Sequence, residues 1–100
     1  MKPRMMDVVI GGKRYRTETA TLLASDAYWD GHNFERDGRN AFLFKTPKGN
    51  YFVQRQSLWQ GERDRLEPVS REEAIRLFED LQEKEVDFDQ AFPGVVVTEA

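Results

Sequence analysis

The sequence contains no cysteine and a single histidine, His32. The first absence removes disulfides, thiolate nucleophiles and thiolate metal ligands together. The second leaves any nucleophilic serine with one imidazole to serve as its base. It also leaves Asp26, Asp30 and His32, at spacings of four and two, without another histidine to complete a metal site. Apolar runs reach about four residues, far below the ~20 that span a bilayer, and no signal-peptide core follows the basic start. Gly11-Gly12-Lys13 puts a lysine after glycines but lacks the spacing and the following Ser/Thr of a phosphate-cradling loop. These absences lead us to expect a cytoplasmic, non-enzymatic chain with no membrane partner and no cofactor.

What is present begins with enough aromatic side chains, 12 in 100 residues, to build a core. The length is that of one domain over residues 1–100, with 1–6 and 98–100 expected to be loosely ordered. The net charge of -3 hides a division. Residues 1–70 carry 12 Lys/Arg against 9 Asp/Glu, whereas residues 71–100 carry 3 against 9. The chain is basic first and acidic last.

The clearest organising stretch runs from Ala41 to Gln56. Aromatic and branched residues flank Thr46-Pro47-Lys48-Gly49-Asn50, where proline presets one turn position and glycine tolerates a left-handed one. A three-residue loop there places Phe44 opposite Phe52 and Phe42 opposite Gln54, with Leu43, Tyr51 and Val53 on the other face. Apolar groups on both faces predict a central hairpin, covered by helix on one side and by more protein or a second subunit on the other.

Gly11-Gly12 predicts a tight turn joining Asp7 to Ile10 with Lys13-Arg14-Tyr15. Thr17 reads as the N-cap of a short helix from Glu18 to near Ser25 or Ala27, because Ala20, Leu23, Ala24 and Ala27 recur at helical spacing. Asp37-Gly38 predicts a turn between a strand at Phe34 to Arg36 and the one beginning at Arg39. A loop from Ser57 leads to a brief strand at Leu66 to Val69. Ser70 followed by Glu73 marks the N-terminus of the second helix, with Ala74, Leu77, Phe78 and Leu81 on its buried stripe. Val95-Val96-Val97 reads as an edge strand, within the subunit or exchanged across a dimer. The expected architecture is α+β: an antiparallel meander sheet of three to five short strands, with one short and one longer C-terminal helix packed on one face.

Three blocks carry a family resemblance: GGKRYRTETATLLAS from Gly11, KTPKGNYF from Lys45 and LEPVSREEA from Leu66. In this order they resemble an uncharacterised family of small bacterial and phage proteins with G-K-x-Y-x-T-x-T-A, T-x-x-G-x-Y/W-F and P-x-S/T-x-E-E-A elements. The resemblance covers roughly Gly11 to Phe92 and implies a microbial origin and these fold boundaries, with no catalytic residue to carry over. The chain departs from that pattern at Arg16, where an aspartate is common, and in its charged, glycine-poor loop from Gln60 to Arg65.

Two functional classes follow. A protein-interaction module, a homodimer first of all or a binder of another protein, would use Leu43, Tyr51 and Val53 with the anchors Trp29, Trp59 and Phe92 as its partner surface. The alternative, a nucleic-acid-associated accessory protein, would use Lys13, Arg14, Arg16, Arg36, Arg39, Lys48 and Arg55, with Tyr51 and Trp59 placed to stack on bases. A ligand-binding or hydrolytic role around His32 stands well behind both.

Overall fold

The computed structural model describes residues 3–26, 39–57, 61 and 63–100. Its central hairpin follows from the turn chemistry at residues 46–50. The Gly49 amide donates to the Thr46 carbonyl at 2.9 Å, and the Thr46 amide donates to the Asn50 carbonyl at 2.7 Å. Gly49 takes φ +89°, a left-handed conformation that a side chain would strain. This loop sets the register of β4 (Arg39–Lys45) against β5 (Tyr51–Ser57). Phe42 opposes Gln54, Leu43 opposes Val53 and Phe44 opposes Phe52, as the sequence predicts. Strand alternation then sends Phe42, Phe44 and Phe52 to one face and Leu43, Tyr51 and Val53 to the other.

Each face is covered from within the chain. Gly11 and Gly12, at φ 59° and 79°, join β1 (Asp7–Ile10) to β2 (Lys13–Arg16) in a two-stranded sheet of their own. Val8, Ile10 and Tyr15 of this ribbon lie on the Phe42, Phe44 and Phe52 face. The Tyr15 ring meets Phe52 edge-on with centroids 5.6 Å apart, and Phe52 stacks on Phe44 at 5.0 Å. The opposite face receives Ala74 and Phe78 of α1 (Arg71–Asp80) and the aromatic cluster around the shorter α2 (Phe88–Ala91).

The main sheet is antiparallel, in the order β6 (Arg65–Val69), β5, β4, β3 (Thr21–Ser25) and β7 (Glu83–Lys84). Both of its edges are blunted. Pro68 on β6 has no N–H to offer another strand, and the short β7 covers part of β3. Ser70 caps α1 as expected, its hydroxyl accepting the Glu73 amide at 3.1 Å. Lys84 donates to the Leu81 carbonyl just beyond the other end of α1, with its ammonium 5.2 Å from the Phe78 ring centre. Among the described residues no helix is long and apolar enough to cross a membrane.

Several local expectations are corrected. The helix predicted from Glu18 is instead strand β3. A bulge shifts the register between Leu22 and Ala24, so Leu23 and Ala24 both enter the helix-side core while Leu22 packs toward the first hairpin. Two successive apolar side chains on one face imitate helical spacing. Thr17 is not an N-cap: its hydroxyl accepts the Met6 amide at 2.8 Å and its own amide donates to the Met6 carbonyl at 3.0 Å. The Met6 backbone is accordingly tied to Thr17. The Gln54 side chain, fully buried, accepts the Arg4 amide at 2.9 Å and donates to the Arg4 carbonyl at 2.6 Å. The valine run forms no strand within the chain: Val95 packs on the core, while Val96 and Val97 are 85% and 67% exposed. The strand expected at Phe34 to Arg36 and the Asp37-Gly38 turn lie outside the described residues.

Two substitutions test this packing. Tyr15→Ala should destabilise the domain by about 3 kcal/mol in urea unfolding, as loss of a buried ring does; a loss below about 1 kcal/mol would show that the first hairpin is no cover. The Tyr51 hydroxyl donates to the Ala91 carbonyl at 2.8 Å, and burial pushes its pKa above the ordinary 10.0, against an opposing pull from the Arg71 charge. Because the folded pKa is the raised one, stability should hold below about pH 10 and fall as the pH rises further, where the unfolded chain ionises first. Tyr51→Phe should cost about 1 kcal/mol at neutral pH and flatten that alkaline fall; an unchanged alkaline limb would contradict the assignment.

Candidate nucleic-acid interface

The second strand of the first hairpin and the loop of the central hairpin enclose a cleft of about 460 Å³. One wall is the Gly12–Arg16 side of the first ribbon together with Thr19, and the other is Thr46, Pro47, Lys48 and Asn50 of the central loop. Tight turns bring the polar residues here. A glycine pair or a Pro-Lys-Gly sequence reverses the chain in solvent, where lysine and arginine keep their heads hydrated. Four cationic residues, Lys13, Arg14, Arg16 and Lys48, line the cleft, and no carboxylate does among the described residues. A more open depression of about 420 Å³ lies on the other side of the loop, lined by Lys45, Tyr51, Ser70 and Arg71 among others. The positive groups therefore surround the turn end of the central hairpin.

Their partners differ. Asp7 lies beside the cleft on β1 and faces both arginines: its Oδ1 is 3.4 Å from Arg14 Nε and its Oδ2 is 3.4 Å from Arg16 Nε. All three side chains are about half exposed, so water weakens these pairs to at most about 1 kcal/mol each. Lys13 and Lys48 have no ion-pair partner among the described residues. Positive charge at a concave surface with so little internal neutralisation attracts anions and holds them in proportion to the counterions released.

Of the seven basic residues that the sequence singles out for nucleic acid, four line this cleft. Arg55 is engaged elsewhere: its Nε donates to Glu67 at 2.6 Å, and Arg65 reaches the same carboxylate at 3.2 Å. These guanidinium groups, Arg55 first, hold the Glu67 carboxyl below its usual pKa against a modest opposing effect of burial. Arg39 opens β4 at the end remote from the loop, and Arg36 is outside the described residues. Tyr51 cannot serve as a stacking surface, because its ring is 7% exposed and packs on Phe92 with centroids 5.1 Å apart.

The expected partner surface is corrected in the same way. Leu43, Tyr51, Val53 and Phe92 are all buried in the core beneath the two helices. Their face is covered by α1 and α2, and the Phe42 face is packed against the first hairpin. Trp29 and Trp59 lie outside the described residues, as do Asp30 and His32. Asp26 has a structural task, its Oδ1 accepting the Ala41 amide at 2.8 Å. Asp7 and the hydroxyls of Thr19 and Thr46 went unnoticed in the sequence. The signal for Asp7 was available, since a two-residue turn at Gly11-Gly12 sets it directly opposite Arg16.

Comparison with known proteins finds no matching family model, no similar curated protein and no similar solved structure.

Proposed function

We propose that this chain is a non-enzymatic, nucleic-acid-associated accessory domain that binds its ligand in the cleft between β2 and the loop of the central hairpin. The observation that carries this reading is the lining itself: four cationic residues, no carboxylate, and two lysines left unengaged among the described residues. A cytoplasmic location, where nucleic acid is at hand, belongs to the same proposal. So does kinship with the small bacterial and phage proteins that the three sequence blocks resemble. Two of those blocks, around Gly12 to Thr19 and Thr46 to Asn50, supply the walls of the cleft.

Fluorescence anisotropy with short labelled single- and double-stranded oligonucleotides at low salt tests the proposal. Binding should be saturable, and the Lys13→Glu/Lys48→Glu double variant should lose roughly tenfold or more in affinity while keeping the wild-type circular dichroism and urea midpoint. No binding by the wild type, or equal binding by the folded variant, would rule the reading out.

Self-association remains as a second reading, supported by one observation. Val96 and Val97, 85% and 67% exposed, form an apolar segment with no strand partner among the described residues. If it pairs with a second copy, light scattering at micromolar concentration should give a dimer that Val96→Ser/Val97→Ser returns to a monomer. A wild-type monomer under these conditions would end this second reading.

A further inference from the structure

Resting on the nucleic-acid reading, we propose that the cleft holds the phosphodiester backbone without reading the bases, and that Asp7 attenuates the grip by occupying Arg14 and Arg16. The case for backbone recognition is the chemistry of the lining. Base-specific binding of a single strand uses exposed aromatic faces on which bases stack. Among the described residues the aromatic side chain lining this cleft is Tyr15, which is 6% exposed with its ring spent on an edge-on contact with Phe52 at 5.6 Å. What remains to meet a ligand is ammonium, guanidinium, hydroxyl, the Asn50 amide and turn backbone, all suited to phosphate oxygens. A volume of about 460 Å³ accommodates a nucleotide-sized length of backbone.

Asp7 enters as the competing anion. Opposite Arg16 and diagonal to Arg14, it lies 3.4 Å from each guanidinium. A half-exposed carboxylate holds its partners weakly in water, so a phosphate displaces it at modest cost. The two arginines then join Lys13 and Lys48 in the complex. Removing the carboxylate charge would leave both guanidiniums free beforehand, and affinity would rise.

The test uses the full chain and anisotropy across a salt series, with two oligonucleotides of equal length and unrelated sequence. The two should bind within about threefold of each other. For duplex, log K against log salt should have a slope of about −2 to −4, matching two to four phosphate contacts. Lys48→Gln should make that slope about one unit shallower. Asp7→Asn should bind about threefold more tightly at low salt, a factor of the size that a weak ion pair allows, with the gain shrinking as salt rises. A preference above about tenfold for one sequence would overturn backbone-only recognition while leaving nucleic-acid binding intact. Unchanged or weaker binding by a folded Asp7→Asn variant would overturn the role of Asp7. Failure of every oligonucleotide to bind would remove the functional reading together with this one.

Discussion

The fold depends on the edge-on contact between Tyr15 and Phe52. The central ribbon carries rings on one face and branched side chains on the other, and neither face is stable in water alone. Phe42 and Phe52 are 1% and 0% exposed, and burying each such side chain is worth about 1.5–3 kcal/mol. The first hairpin contributes to that burial with Tyr15 as its anchor, beside Leu66, Leu22 and Met6. The same placement sets β2 beside the loop of the central hairpin and creates the cleft. Cover and site are one arrangement.

The sequence was most informative where the chemistry is local. Gly11-Gly12, the Thr46-to-Asn50 loop and the Ser70 cap each determine a short stretch of backbone with few alternatives, and from the loop the whole β4–β5 register follows. It was least informative where tertiary packing decides. The bulge at Leu22 to Ala24 breaks the alternation that identifies a strand, so the apolar spacing imitates a helix. β7 has two residues and no pattern of its own, existing because it pairs with β3. The ties of Met6 to Thr17 and of Arg4 to Gln54 depend on hydrogen bonds across 11 and 50 positions of sequence, beyond any local signal. The need for something to cover the second face was legible; that the first hairpin supplies it was decided by the apolar face formed by Val8, Ile10 and Tyr15.

The basic residues show the same division. Lys13 and Lys48 belong to turns, and turns are polar whatever the protein does, so their identity alone carries little weight. Their convergence carries more. Arg55 looks equivalent in the sequence yet is paired with Glu67 on the neighbouring strand. Only the fold distinguishes a cation engaged within the sheet from one that faces a cleft.

Mapping amide chemical shifts by NMR while a short oligonucleotide is titrated at low salt tests the central claim most directly. The account requires the amides of Gly12 to Arg16 and of Thr46 to Asn50 to shift together along one saturation curve, with those of α1 unmoved. Shifts confined to one hairpin, or centred on the acidic helix, would contradict it.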